Sequence, residues 1–279
     1  MPTGTLYIIA TPIGNLEDIT FRAVRVLGEV DLIAAEDTRH SRKLLTHFGI
    51  SRPLTSYYDH NKNFKGGYII EKLKEGLSVA LVADAGTPCI SDPGFQLARD
   101  AAAAGIPVVP VPGPSAVIAS LSAAGLPTDR FAFEGFLPAR AGKRREKLNS
   151  LRDEERVLVF LESPRRIAAA LADLLEVMGD REAVVARELT KIHEEFIRGK
   201  LADIIDRLEG TPVKGEVVLL VAPAPANAQP VPVPVEELLR RYISSERLSL
   251  KDAVKRTAQE TGRARSEVYA EALRIKKES

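Results

Sequence analysis

Three observations predict an α/β protein with two lobes and a small helical module at its C-terminal end. Short apolar runs rich in β-branched residues alternate with helical patterns from Leu6 to Ala222. Several of these runs stop abruptly in loops of Gly, Pro and Asp. Val82 to Gly94 is the clearest case: an apolar run ends at Asp84, a Gly86-Thr87-Pro88 turn follows, and Ser91-Asp92-Pro93-Gly94 opens a helix. Finally, Pro223, Pro225, Pro230, Pro232 and Pro234 punctuate a stretch after which only helical patterns remain.

In the first lobe, Leu6–Ala10, Leu32–Ala35, Val79–Ala83 and Val108–Val111 read as strands, and Thr20–Leu27, Ser41–Phe48, Gly67–Glu75 and Pro93–Ala104 as the helices between them. This alternation predicts a largely parallel, helix-covered sheet. Asp92 suits an N-cap, Pro93 a first turn and Gly105 a helix end. A second lobe starts between Gly113 and Asp129. Its strands are Val157–Leu161, Ala183–Arg187 and Val217–Ala222, and its helix is Ser163–Met178, with Ser163 as N-cap. The expected domains are 1–116, 117–222, a Pro-rich linker at 223–235 and a helical module at 236–279. In that module Glu236–Tyr242, Ser249–Thr261 and Ser266–Lys276 read as helices. Ser249 and Asp252 stand at capping-box spacing, Gly262 suits a helix end, and the last two helices look like a helix-turn-helix.

The 279 residues carry a net charge of +1, so no global field points to a polyanion. One cysteine excludes a disulfide framework, and Cys89 with four scattered histidines disfavours a structural zinc site. The N-terminus lacks a basic segment before its short apolar run, and no run of about 18 apolar residues exists. A cytoplasmic location, no signal peptide and no membrane span are therefore expected.

The strand-end loops carry the functional signal. Thr11-Pro12-Ile13-Gly14-Asn15-Leu16, Asp84 to Pro88 and Pro112-Gly113-Pro114-Ser115-Ala116 each follow a strand and precede a helix. In open α/β sheets such loops converge on one crevice where small molecules bind. No Gly-x-Gly-x-x-Gly and no Gly-x4-Gly-Lys-Ser/Thr occurs, which disfavours a Rossmann dinucleotide site and a P-loop. Glu36 and Arg39 could face the same cleft, with Asp37 or Thr38 capping a helix. In Ser56-Tyr57-Tyr58-Asp59-His60-Asn61-Lys62 the rings either stack bases or pack on the core. Arg165 and Arg166 follow the Val157–Leu161 strand at a helix start, where a bound anion would offset their unfavourable place on the helix dipole. In Arg187-Glu188-Leu189-Thr190-Lys191, a lysine or glutamate could orient or deprotonate a hydroxyl, whereas Glu194 and Glu195 read as solvated charges. Cys89 reads as a packing residue, since nothing near it supplies a base. Two segments are locally basic. Ala139–Arg152 holds six basic residues against Glu146 alone, and 236–279 holds eleven against eight acidic, which suits a nucleic-acid partner.

The motifs Ile9 to Leu16, Ala35-Glu36-Asp37-Thr38-Arg39, Asp84 to Gly94, Pro112 to Ser115, Phe133-Glu134-Gly135-Phe136-Leu137-Pro138, Glu162 to Arg166 and Arg187 to Lys191 occur in this order. Together they resemble the tetrapyrrole-methylase (class III) group of S-adenosylmethionine-dependent methyltransferases. The resemblance is strongest to its bacterial branch acting on the ribose 2′-hydroxyl of a cytidine in small-subunit (16S) ribosomal RNA. It runs from about Leu6 to Val221, and the C-terminal helices resemble that branch's appended module.

What the resemblance implies is specific. The donor, S-adenosyl-L-methionine, would sit between two α/β lobes of a homodimer, contacted by Pro12, Gly14, Asp84, Ala85, Gly86, Ile90, Ser115 and Ala116 from the first lobe. Leu161, Leu189 and Val217 would contact it from the second. Lys191 and Glu188 are the candidate catalytic residues, and Arg39, His60, Asn61, Arg165 and Arg166 the candidate RNA contacts; no metal is required. Thr87 stands where the porphyrin-modifying members differ, which weakens a tetrapyrrole substrate. A methylase of a precorrin-like tetrapyrrole and a non-catalytic RNA-binding assembly factor are the alternatives. Neither calls for the basic segment, the appended helices and the retained donor loops together.

Overall fold

The computed structural model describes all residues except 1–2, 59–61, 93, 211–212, 214, 226–234, 241, 243–247, 262, 264 and 278–279. It has two compact units, Met1–Ala224 and Pro225–Ser279.

The first unit contains two five-stranded sheets. Strands β1 (Leu6–Ile9), β2 (Leu32–Ala35), β3 (Leu54–Ser56), β4 (Val79–Val82) and β5 (Val108–Val111) form the first. They are all parallel, in the order β3-β2-β4-β1-β5. Every residue of β2 and β4 is buried, as continuous apolar runs require when helices cover both faces. Helices α1 (Phe21–Glu29) and α2 (Thr38–His47) lie on one face, and α3 (Lys62–Lys74) and α4 (Gly94–Ala103) on the other. Thr20 caps α1 and Asp37 caps α2 through their side-chain oxygens. β1 lies between β4 and β5, so the loops leaving these three strands adjoin at one sheet edge. Pro93 lies outside the described residues, but Asp92 does anchor the start of α4: its carboxylate accepts from the Gly94 amide at 2.7 Å and the Cys89 amide at 2.9 Å.

The second sheet comprises β6 (Phe131–Phe136), β7 (Val157–Glu162), β8 (Glu182–Arg187), β9 (Glu195–Lys200) and β10 (Val217–Val221). Unlike the first sheet, this one is mixed. Only β6 and β7 are parallel; β10 inserts antiparallel between β7 and β8, and β9 pairs antiparallel at the edge. The start of β10 therefore lies beside the ends of β7 and β8, with Val217 opposite both Glu162 and Arg187. Helix α5 (Ala116–Ala124), capped by Ser115, packs on β8 and β10. Helices α6 (Ala141–Ser150), α7 (Ile167–Met178) and α8 (Leu201–Leu208) cover the other face. Ser163 does not cap α7 as expected. A turn over 163–166 intervenes and the helix begins at Ile167.

The expected free basic patch at 139–152 is also corrected. Arg144 is buried on Asp173 at 2.6 Å, Arg145 bridges Asp173 and Glu176, and Lys147 pairs with Glu134. Half of the run's cations thus hold α6 against α7 and β6. Among the described residues no helix is long and apolar enough to cross a membrane.

The second unit packs α9 (Val235–Arg240), α10 (Leu250–Thr261) and α11 (Arg265–Lys277) around Leu238, Leu239, Tyr242, Ala253, Val254, Val268 and Ala272. Ser249 accepts from the Asp252 amide at 3.2 Å and donates to its carboxylate at 2.5 Å, so the expected capping pair forms. Gly262 and most of the linker lie outside the described residues.

Candidate active site

The two lobes interlock through the loop after β1. Ile13, from the first lobe, is buried in a core with Val117 and Leu121 of α5, Val159 of β7, Ala186 of β8, Leu189 and Val218 of β10. Behind it the strand-end loops are tied to one another. Thr11 and Gly86 exchange backbone hydrogen bonds at 2.9 and 3.0 Å. The Thr87 hydroxyl donates to the Pro114 carbonyl at 3.1 Å, and the Asp84 carboxylate accepts from the Asp37 amide at 2.9 Å. Thr87 is thereby a structural tie between two loops.

Two cavities meet at Ile13. One, of about 280 Å³, has walls from Ala116, Phe136, Leu161, Leu189, Val217 and Val218, with Glu162, Glu188 and Glu216 at its polar side. The other, of about 330 Å³, is bounded by Pro12, Gly14, Leu16, His40, Asp84 and Ala85. Ile13, Lys191 and Glu216 line both. Together they reach the size of sites that take cofactor-sized ligands.

The second-lobe wall is held under backbone strain. Glu188 and Thr190 adopt positive φ of 51° and 64°, which non-glycine residues rarely do. The Thr190 amide donates to the Glu194 carboxylate at 2.7 Å, and Arg187 pairs with Glu195 at 2.5 Å. The expectation of two merely solvated glutamates is corrected on this point: both brace the loop. The brace leaves the Thr190 hydroxyl buried without a hydrogen-bond partner among the described residues.

Lys191 Nζ lies 2.9 Å from Glu188 Oε1. Glu188 in turn fills the space over Gly215, where any Cβ would clash with its carboxylate. The loops approach most closely at Gly14. A Cβ there would stand 2.6 Å from Lys191 Cγ and 2.9 Å from the Leu189 carbonyl. Glu216 has no side-chain hydrogen bond or ion pair among the described residues.

The structure thus gathers Pro12, Gly14, Asp84, Ala85, Ala116, Leu161, Glu188, Leu189, Lys191 and Val217 around the joined cavities. Gly86 supports the β1 loop from behind, Ser115 is spent on capping α5, and Ile90 is about half exposed outside both linings. Arg39 is exposed and bound to Asp37 at 2.8 Å. Arg165 is exposed, whereas Arg166 is committed to Glu162 and the Leu137 carbonyl, so its place near a helix start is offset internally. His60 and Asn61 lie outside the described residues. Tyr57 packs in the first-lobe core, and burial pushes its phenol up to about 12. Sequence reasoning missed His40 and Glu216, both in the linings.

Burial, with Asp92 beside it, pushes the Cys89 thiol up to about 11. Thiolate is the reactive form. At pH 8 the native protein should alkylate about 100-fold more slowly than free cysteine, as a timed iodoacetamide reaction followed by mass spectrometry would show. Alkylation at the free-cysteine rate would contradict the packing role.

The family model "Tetrapyrrole (Corrin/Porphyrin) Methylases" matches residues 5–205, and the "RsmI C-terminal HTH domain" matches 230–276. Ribosomal RNA small subunit methyltransferase I of Pseudomonas aeruginosa is 49% identical over 98% of both chains. The chain belongs to this methyltransferase family. Relatives of the same name from Synechocystis and Halalkalibacterium halodurans are 46% and 45% identical, over 98% and 95% of this chain and 98% and 93% of theirs. Among solved structures, diphthine synthase matches with a TM-score of 0.60 at 16% identity, covering 78% of this chain and 90% of that one. Uroporphyrin-III C-methyl transferase from Thermus thermophilus, complexed with S-adenyl homocysteine, matches with a TM-score of 0.56 at 19% identity, covering 78% and 97%. At these identities the structures establish the shared fold of the methylase. As a family member it is an S-adenosylmethionine-dependent methyltransferase. The residues present fit that donor. Leu161, Leu189, Val217 and Val218 offer an apolar wall for a flat base, and the Glu216 carboxylate, with no ion pair among the described residues, would be available as a counter-charge to a cationic sulfonium.

Proposed function

We propose that this methyltransferase transfers a methyl group to the ribose 2′-hydroxyl of a cytidine in 16S ribosomal RNA. It would work as a cytoplasmic homodimer, with 1–116 and 117–222 as the two jaws, 223–235 as linker and 236–279 as an RNA-binding module. The near full-length identity to ribosomal RNA methyltransferases supports the substrate class. The carrying observation in the site is the seam at Lys191, which faces both cavities at once. An alignment-limited reaction needs a donor held on one side and a hydroxyl on the other.

The donor, when bound, supplies an electrophilic methyl on a sulfonium. Transfer to the 2′-oxygen would return the carbon–sulfur electron pair to sulfur and would require the hydroxyl proton to leave. Lys191, fixed by Glu188, places its ammonium where it steadies the developing oxyanion. Glu216, whose carboxylate is not engaged by another described side chain, receives the proton.

Lys191→Ala should lower kcat by roughly 10²–10³-fold while the donor Kd moves little, measured by transfer of labelled methyl and by calorimetry. An equal loss of donor affinity would make Lys191 a binding residue instead. Offered small ribosomal subunits and a precorrin mixture side by side, the protein should label the RNA. Label in the tetrapyrrole would overturn the reading.

A further inference from the structure

We infer that the open cleft between α10 and α11 is a binding site for RNA backbone. This inference rests on the RNA substrate proposed above and names the surface that would hold it. The cleft has a volume of about 730 Å³ and is lined by Leu250, Val254, Ser266 and the charged and aromatic groups that follow.

Lys251 and Lys255 project from α10, and Arg265 and Tyr269 from α11. All four are exposed, and none of the three cations has an ion pair among the described residues. Three further basic residues among those described are engaged elsewhere. Arg256 stacks on Tyr242 at 5.0 Å, Arg263 approaches Glu267 at 4.0 Å, and Arg274 approaches Glu271 at 3.9 Å. The one acid in the lining, Asp252, already accepts from Ser249. The cleft therefore gathers three cations with no ion pair among the described residues against one engaged carboxylate.

Cations on both walls favour a polyanion. Lys251 and Lys255 stand one helical turn apart, roughly 6 Å along α10, a spacing that suits successive groups along a phosphodiester chain. Tyr269 adds what a simple anion would not use: an exposed ring, 46% accessible, one turn from Arg265. Aromatic faces stack unpaired bases with little sequence preference. Cations on phosphates and a ring on a base together describe single-stranded RNA.

Anisotropy of a fluorescein-labelled oligoribonucleotide of about 20 nucleotides, titrated with the full chain from 50 to 200 mM salt, tests this directly. In the Lys251→Ala/Lys255→Ala/Arg265→Ala variant the slope of log K against log salt should fall by about 2, since each lost single-strand phosphate contact removes about 0.7. Tyr269→Ala should weaken binding about 5- to 100-fold with the slope unchanged. Arg274→Ala should behave as wild type, circular dichroism should be the same for all, and donor affinity should not change. An unchanged slope in the triple variant would overturn the cleft while leaving the methylation reading intact. A wild-type chain that bound polyglutamate as tightly as RNA would also overturn it, in favour of a protein partner. Failure of the wild-type chain both to bind and to methylate RNA would remove the proposed function itself.

Discussion

Gly14→Ala is expected to reduce methyl transfer by about 100-fold or more while both sheets remain folded. The added methyl would sit 2.6 Å from Lys191 Cγ and 2.9 Å from the Leu189 carbonyl and the Thr190 hydroxyl. One of these neighbours is backbone in a loop already at positive φ, so the contact cannot relax by a rotamer change alone. The loop after β1 and the loop over 187–191 must separate, carrying the Lys191 ammonium away from its place at the seam. Misplacement by about 1 Å is enough for a 10²-fold loss in a reaction that depends on alignment. Overpacking should reduce stability by only about 1–3 kcal/mol. Steady-state kinetics with thermal denaturation separates the two effects. A variant with full activity would show that the close approach at Gly14 is not what sets Lys191.

The largest stability effect is expected at Asp173. Its carboxylate is buried on α7 and joins Arg144 at 2.6 Å and Arg145 at 2.8 Å. Burial alone would raise its pKa, yet hydrogen bonds from Arg145 and Arg144 outweigh that and hold it below the ordinary aspartate value. Asp173→Ala would strand the Arg144 guanidinium inside the second lobe and should reduce stability by about 3–5 kcal/mol, or roughly 8–15 °C in Tm. Arg144→Met/Asp173→Leu, which removes both charges, should recover most of it. The depressed pKa also fixes a pH dependence. The contribution of Asp173 is present above about pH 4 and is lost as pH falls through its lower folded pKa. Chemical denaturation at pH 7 for the two variants, and of wild type from pH 6 to 3, measures both. Equal destabilisation by the single and double changes would contradict the buried-charge account.

Much of the first lobe was legible because its strands are buried on both faces and read as unbroken apolar runs. Three strands were not. β3 has only three residues, β6 is irregular where its register shifts between Phe133 and Gly135, and β9 is a polar edge strand, Glu-Phe-Ile-Arg-Gly-Lys. Edges carry charge and bulges that blur the apolar period. Two of the three acids that pair with the 139–152 run, Asp173 and Glu176, lie far along the chain, and Glu134 lies on a strand that the sequence did not reveal, so the run looked free. Glu216 was missed for a topological reason. In a parallel sheet the ligand groups follow the strands, but β10 is antiparallel and brings its preceding residue to the cleft. The signal was present in sequence as an acidic residue directly before the apolar run Val217–Val221.

The role proposed for the seam at Lys191 is methylation of a ribose oxygen. Alkali tests it most directly, because strand cleavage of RNA by hydroxide needs a free 2′-hydroxyl. Small subunits labelled by this protein with methyl-tritiated donor should yield, after complete alkaline hydrolysis, tritium in a single alkali-resistant dinucleotide, released on further digestion as 2′-O-methylcytidine. Tritium in alkali-released mononucleotides would place the methyl on a base and contradict the account.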